Sequence, residues 1–208
     1  MTEALLPAFT KGFVLSAGLI IAIGAQNMFV LRQGLKREHV APIVLFCALA
    51  DATLIVAGVS GLGGVLALVP SLSRVLSLGG AVFLSWYGVS ALRRAARPAA
   101  LVVSREAGLT LGAALAGTAA FTFLNPHVYI DTVMLMGAVG ASLPPMERPL
   151  FMAGAALASL TWFSSLGFGA RFLAPLFARP IAWKVLDLAV GVMMLALAAS
   201  LARGALVA

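Results

Sequence analysis

Residues 109–141 constrain the fold of this 208-residue chain more than any other stretch. The stretch is almost entirely apolar and is longer than the roughly 20 residues that a helix needs to cross a bilayer. Pro126, near its middle, lacks the backbone N–H that a helix interior uses, and Asn125 before it is pushed away from helical angles. The sequence therefore predicts one helix that is broken at Pro126 and continues to the far side of a membrane.

A carboxylate lies just beyond this predicted break. Asp131 remains within the apolar stretch, where an ionised carboxylate costs about 2.5–3.5 kcal/mol at the centre of a bilayer. We interpret Asp131 as a site for a cationic group or a proton, with an intramembrane ion pair or a helix cap as the alternatives. His127 precedes it by one helical turn on the same face, and its default interpretation is a satisfied polar side chain in a cavity wall.

The composition excludes a soluble enzyme. Apolar residues make up 62% of the chain and charged residues 10%, against about 25% charged residues in soluble domains. The net charge of +7 is interpreted as basic loop residues facing anionic lipid, not as a nucleic-acid surface. The single cysteine, Cys47, supplies neither an internal disulfide nor a Cys-X-X-Cys pair. Because the sequence has no metal-ligand spacing, phosphate loop or nucleophile motif, we predict no cofactor and no metal site.

The apolar runs predict six membrane spans in a single transmembrane domain, residues 1–208. The spans cover residues 9–31, 41–66, 75–92, 109–141, 150–172 and 181–201. One side of this arrangement carries the basic residues Arg32, Lys36, Arg37, Arg93, Arg94, Arg97, Arg105, Arg171, Arg179 and Lys184. The other side carries Lys11, Arg74, Arg148 and Arg203. The excess of positive charge places the first set in the cytoplasm and both termini outside.

The chain also contains a weak internal repeat. Three pairs of segments correspond, residues 75–78 with 185–188, 48–53 with 156–161, and 24–27 with 124–127. Their common order divides the chain into two repeats of three spans each, residues 1–100 and 105–208. Because three is odd, the second repeat must be inverted in the membrane. The predicted fold is an all-α membrane protein of two inverted three-helix repeats with helices 1 and 4 interrupted, a pattern that indicates a transporter site near the midplane.

Three further polar residues are candidate site residues. Asp51 lies between apolar segments with no basic residue near it in sequence, and its predicted partner is a substrate, a proton or a polar group of the broken helices. Gln26 and Asn27 lie in the first span, where backbone groups freed by a helix break can bind a ligand. Hydrogen bonding between helices is the alternative. With Asn125, Pro126 and Asp131, these residues form the predicted substrate or ion site.

Other residues receive structural interpretations. Asp187, close to Lys184, is predicted to cap a helix or to form a surface ion pair. The three tryptophans, Trp86, Trp162 and Trp183, are predicted to be packing residues or interface anchors. Small residues along the predicted spans allow close helix packing and are compatible with a homodimer.

Several of these motifs together resemble the LysE family of basic amino acid exporters. The resemblance is carried by residues 24–27, 33–37, Asp51 and 124–132, and extends to 137–140 and 154–163. Its Asn-Pro-His-Val-Tyr run is most similar to the arginine-exporter branch. The resemblance implies a six-span inner-membrane exporter of lysine or arginine driven by the proton gradient, with Asp51, Asp131 and Asn125 as site residues. The family usually has Gly-Pro-Gln-Asn in the first span, where this chain has Ala25 in place of the proline.

Our hypothesis is a secondary exporter, not an enzyme, whose partners are a cationic amino acid, a proton or counter-ion, and the lipid bilayer. Carboxylate, asparagine and backbone oxygens also suit a hard divalent cation such as Mn²⁺, so an exporter of such a cation is an alternative. An exporter of neutral amino acids, a membrane redox protein and a non-transporting scaffold are the others.

Overall fold

The computed structural model describes residues 2–21, 24–62, 70–96, 108–177 and 179–207, and all regular structure within them is helical. The all-α prediction is confirmed. The helices are α1 (Thr2–Ile20), α2 (Ala25–Lys36), α3 (Val40–Ala57), α4 (Pro70–Ala95), α5 (Leu111–Phe123), α6, α7 (Arg148–Gly169) and α8 (Pro180–Val207). Helix α6 comprises Pro126–Val128, the π-helical Tyr129–Leu135 and Met136–Ala141. A π-helical turn, Gly58–Leu62, extends α3, and the short helices Ala170–Leu173 and Ala174–Phe177 follow α7.

By length and apolarity, three helical segments of the described residues can cross a membrane. They are Val40–Leu62, Arg148–Leu173 and Ile181–Gly204, and the bent pair of α1 and α2 makes a fourth if it counts as one span. The protein is therefore a multi-pass membrane protein. The two remaining predicted spans stay predictions, because α5 has only 13 residues and α4 does not meet the same criterion. The end of the second predicted span, residues 63–66, and the loop residues Arg97 and Arg105 lie outside the described residues.

Both predicted helix interruptions are present. The axes of α1 and α2 are bent by 84°, and Gly24 before α2 is extended, with φ −117° and ψ −179°. The second interruption lies between α5 and α6, where Asn125 is extended, with φ −93° and ψ 109°. Pro126 occupies the first position of α6, where its missing N–H leaves no helical hydrogen bond unmade. The first interruption thus forms without the proline that the resemblance led us to expect.

Pairs of helices from the two halves of the chain run antiparallel. Helix α3 packs on α7, with Val44 against Gly167 and Asp51 bonded to Ser159 further along. Helix α4 packs on α8 over most of its length, so that residues late in α4 meet residues early in α8. Helices α3, α4, α7 and α8 surround the two interruptions, and these two pairings hold them in place.

An aromatic cluster lies between α2, α4 and α5. The ring of Phe121, 2% exposed, has its centroid 4.8 Å from that of Phe83, 4.9 Å from that of Tyr87 and 5.1 Å from that of Phe29. Edge-to-face and tilted contacts of this kind add to the energy of burial. The cluster fixes α5, the first half of the second broken helix, against α2 and α4.

A buried ion-pair cluster joins α2, α4 and α8 at one end of the molecule. Asp187 is 1% exposed and accepts hydrogen bonds from Arg32, which is 4% exposed, and from Arg94 at 3.2 Å. The guanidinium of Arg94 also lies 5.7 Å from the centre of the Tyr87 ring. The prediction of a cap or a surface ion pair for Asp187 is wrong, because packing of α8 on α4 buries this carboxylate beside cations that are distant in sequence.

Several helix crossings depend on glycine, and two of them illustrate this. On α1 and α7, a Cβ on Gly154 would overlap the carbonyl oxygen of Phe9, whereas a Cβ on Gly18 would have no atom within 4 Å. Where α3 meets α6, a Cβ on Gly137 would lie 2.7 Å from the backbone of Gly58. Neither crossing can accept a side chain without separating the two backbones.

We expect Gly154→Ala to lower the free energy of unfolding by about 1–3 kcal/mol, because the methyl group would have to displace α1 from α7. The measurement is the thermal unfolding midpoint in detergent. Gly18→Ala is the matched control, because it adds the same methyl group to α1 in open space and improves helix propensity. Equal midpoints for the two variants would contradict the close crossing of α1 and α7.

Candidate functional site

A cavity of about 110 Å³ lies where the first helix interruption meets α3, α6 and α7. Its lining includes five of the six predicted site residues, namely Gln26, Asn27, Asp51, Asn125 and Asp131. Pro126 is not among the lining residues; it is buried at the start of α6. The two carboxylates, which the sequence could not place relative to each other, therefore line one cavity.

Asp51 is held by α7. Its side chain is 6% exposed, and its Oδ2 accepts a hydrogen bond of 2.6 Å from the hydroxyl of Ser159. The antiparallel packing of α3 on α7 brings the two side chains together. Ser159 was missed as a site residue, although the internal repeat had aligned it with Asp51.

Asp131 differs from Asp51 in its surroundings. It lies in the π-helical part of α6 and is half-buried. Within the described part of the chain, its carboxylate has neither a hydrogen-bond donor nor an ion-pair partner, and it faces the cavity together with His127. A carboxylate in this position is available to a ligand.

The amide groups of Gln26 and Asn27 serve different purposes. The Nδ2 of Asn27 donates to the carbonyl oxygen of Ile20 at 2.9 Å, across the interruption, and its Oδ1 accepts from the Nε1 of Trp162 at 3.3 Å. The Nε2 of Gln26 is buried and has no hydrogen-bond partner among the described residues. Gln26 thus lines the cavity with its Nε2 buried, whereas the amide of Asn27 bridges the interruption.

The second interruption is closed by local hydrogen bonds. The Oδ1 of Asn125 accepts from the backbone N–H of His127 at 3.1 Å and so caps α6. The hydroxyl of Tyr129 donates to the carbonyl oxygen of Phe123 at 2.9 Å, which satisfies a group at the end of α5 that the helix leaves unpaired. These bonds hold Asp131 at a defined distance from the end of α5.

Residues 17–205 match the family model described as LysE type translocator. The match covers most of the chain. The protein belongs to the LysE type translocator family.

Three relatives extend this comparison. "Putative amino-acid transporter YggA" of Aeromonas salmonicida is 46% identical over 200 residues, which cover 95% of this chain and 97% of that protein. "Putative amino-acid transporter Mb0498" of Mycobacterium bovis and "Putative amino-acid transporter Rv0488" of Mycobacterium tuberculosis are each 46% identical over 180 residues, covering 86% of this chain and 89% of theirs. No solved structure matches this LysE type translocator.

The cavity of this translocator is acidic. Its lining contains Asp51 and Asp131 and no lysine or arginine among the described residues, and His127 is the one further side chain with a titratable group. No group of three or more His, Cys, Asp or Glu side chains in the described ranges could hold a metal ion. The arrangement suits a ligand with a positive charge.

A second, larger cavity of about 280 Å³ adjoins the first. The two share Asn125, His127 and Asp131, but the walls of the second are mainly apolar and include Phe83 and Phe121 of the aromatic cluster. Asp131 thus lies at the junction of the two cavities, of which the second has the more apolar walls. A ligand with a cationic group and an aliphatic chain fits this division.

Proposed function

We propose that this LysE type translocator exports basic L-amino acids, arginine or lysine, across the bacterial cytoplasmic membrane in exchange for protons or a counter-ion. One observation carries the proposal: Asp51 and Asp131 line one cavity that no described lysine or arginine enters. A basic amino acid brings two cationic groups and one carboxylate. Two carboxylates in the cavity complement that charge better than they complement a neutral amino acid.

The first interruption supplies groups for the substrate carboxylate. The N–H groups at the start of α2 have no partner within the helix, and its N-cap residue, Gly24, has no side chain that could cap them. The partial positive charge at a helix N-terminus attracts anions. Gln26, whose Nε2 has no hydrogen-bond partner among the described residues, lines the cavity at the same place. We assign the substrate carboxylate to this end of the cavity and its cationic side chain to Asp131.

The helix arrangement supports two inverted repeats of three spans. Antiparallel pairing of α3 with α7, and of α4 with α8, is the arrangement expected for spans that correspond in the two repeats. Asp51 and Ser159 are aligned by the repeat and bonded to each other, as residues beside a pseudo-twofold axis would be. Rocking of one repeat against the other would then expose the cavity to each side in turn.

The ion-pair cluster supports the predicted topology. Arg32, Arg94 and Asp187 lie near the ends of three helices that precede or follow the three loops predicted to be cytoplasmic, and the cluster brings these ends to one side. That side would face the cytoplasm, with both termini outside. The names of the three relatives support amino acids as the substrate class.

The test is counterflow into proteoliposomes that are preloaded with arginine, with labelled arginine, lysine, threonine and Mn²⁺ offered outside. We expect exchange of arginine or lysine and none of Mn²⁺. Export coupled to protons predicts in addition that net efflux, but not exchange, responds to collapse of a proton gradient.

Threonine exchange without arginine exchange would retain an amino acid translocator and remove the charge argument for the two carboxylates. Transport of Mn²⁺ alone would overturn the proposal and establish the divalent-cation alternative. Liposomes without protein provide the background for each substrate.

A further inference from the structure

We propose that Trp162 is a positioning residue of the transport site, and that it sets the angle between α1 and α2 by holding Asn27. The importance of this angle for transport rests on the proposed function. The role of Trp162 in setting the angle can be tested without any substrate.

A helix that ends at an interruption leaves its last carbonyl groups without partners of its own. In a membrane-embedded site such groups must be satisfied by other parts of the protein. The Nδ2 of Asn27 supplies a hydrogen bond of 2.9 Å to Ile20. This bond spans the interruption and ties the first turn of α2 to the end of α1.

Trp162 fixes the orientation of the Asn27 amide. Asn27 is 7% exposed, so its Oδ1 needs a donor within the protein. The indole of tryptophan has one donor and no acceptor, and the Nε1 of Trp162 points to this oxygen at 3.3 Å. With Oδ1 directed to Trp162, Nδ2 is directed to Ile20. A tryptophan interpreted from the sequence as a packing residue or anchor therefore has a specific polar partner.

Helix α7 is a suitable support for this contact. It packs on both α1 and α3, and Ser159, one turn before Trp162, bonds Asp51. Phe163, 1% exposed, follows directly and lines the cavity. One face of α7 thus contacts two elements on different sides of the cavity. They are the Asp51 carboxylate on α3 and the interruption between α1 and α2.

The contact matters for the cavity because Gln26 precedes Asn27. If Asn27 were released, α2 could swing about the interruption, and Gln26 would leave its place in the cavity wall. Substrate affinity should then change more than the rate at saturating substrate.

The transport test uses Trp162→Phe, which keeps an aromatic ring and removes the donor. Loss of one buried hydrogen bond is expected to raise the KM for arginine exchange by about two- to tenfold, with little change in the maximal rate. Trp86→Phe is the matched control, since Trp86 is 66% exposed on α4. In an Asn27→Ala background, Trp162→Phe should produce no further change in KM. Additive effects of the two substitutions would overturn the proposal.

The structural test measures the distance between spin labels on α1 and at the end of α2. Cysteines replace the exposed Val14 and Arg37 in a Cys47→Ala background. We expect the distance distribution to shift or broaden in Trp162→Phe and to stay unchanged in Trp86→Phe. An unchanged distribution in Trp162→Phe would overturn the positioning role, even if transport were impaired.

A second variant covers the case in which Trp162→Phe does not fold. Asn27→Asp keeps an acceptor for Trp162 but removes the donor to Ile20, and the same change in distance is expected. If the wild-type protein exchanges no amino acid, the proposed function fails, while the distance measurement still decides the role of Trp162.

Discussion

Asp131→Asn is expected to reduce arginine and lysine exchange by about 70-fold or more. A cation that reaches bilayer depth without a compensating charge costs about 2.5–3.5 kcal/mol, which corresponds to roughly 70- to 400-fold in binding. Asp131 lines both cavities, so we expect the loss of its carboxylate to weaken substrate binding more than the loss of any other group in the site. Initial rates of counterflow at low substrate concentration provide the measurement.

The same variant should fold normally. The Asp131 carboxylate has no hydrogen-bond or ion-pair partner within the described residues, and asparagine has nearly the same shape. We therefore expect an unfolding midpoint equal to or above that of the wild type. Glu147→Gln is the control for loss of a carboxylate, because Glu147 lies before α7 and does not line either cavity. Exchange by Asp131→Asn at the wild-type rate would remove this residue from the proposed site.

Asp187→Asn is expected to differ from Asp131→Asn, because it should cause a large loss of stability. Removing one partner of a buried ion pair leaves a buried charge uncompensated and costs about 3–5 kcal/mol. The pair of Arg32 and Asp187 is of this buried kind, since both residues are almost completely buried. For a chain of this length, the expected decrease in the thermal midpoint is roughly 6–20 °C. Thermal unfolding in detergent, followed by circular dichroism, measures it.

Two further variants distinguish the effect of losing the ion pair from the general effect of introducing a mutation. Lys184→Met removes the basic residue that lies close to Asp187 in sequence and is exposed, and it should leave the midpoint unchanged. Replacing Arg32 and Arg94 by methionine together with Asp187→Leu should recover much of the lost stability, because apolar side chains of similar size are often as stable as a buried ion cluster. A wild-type midpoint for Asp187→Asn would show that the cluster does not stabilise the fold.

The sequence was most informative where the chemistry is local. Pro126 predicts the second interruption because its ring and missing N–H act on its immediate neighbours. Asp51 and Asp131 were found because a carboxylate in an apolar stretch is expensive whatever its partners are. The first interruption was harder to predict, since Ala25 replaces the expected proline and the extended residue is Gly24.

Side-chain partners that are distant in sequence could not be predicted in this way. The bond from Ser159 to Asp51, the bond from Trp162 to Asn27 and the burial of Asp187 all depend on which helices pack together. Apolar helices carry little information about their neighbours, because the lipid-facing and protein-facing sides are similarly apolar. The weak repeat contained one usable signal, since it aligned Asp51 with Ser159.

The π-helical part of α6 was also beyond the sequence analysis. Our expectation that Asp131 and His127 share a face rested on α-helical spacing, and the wider π-helical turns still leave both residues at the same cavities. Single π-helical turns are common at functional sites, but no residue pattern in 129–135 distinguishes this segment from an ordinary helix.

The pairing of α4 with α8 affects how the chain is made. A ribosome delivers α4 before the second interruption and α8 after it, so α4 enters the membrane without its principal neighbour. Arg32 and Arg94 likewise precede Asp187, which arrives with α8. The hydrogen bonds that both arginines donate to Asp187 can therefore form only after α8 has been made.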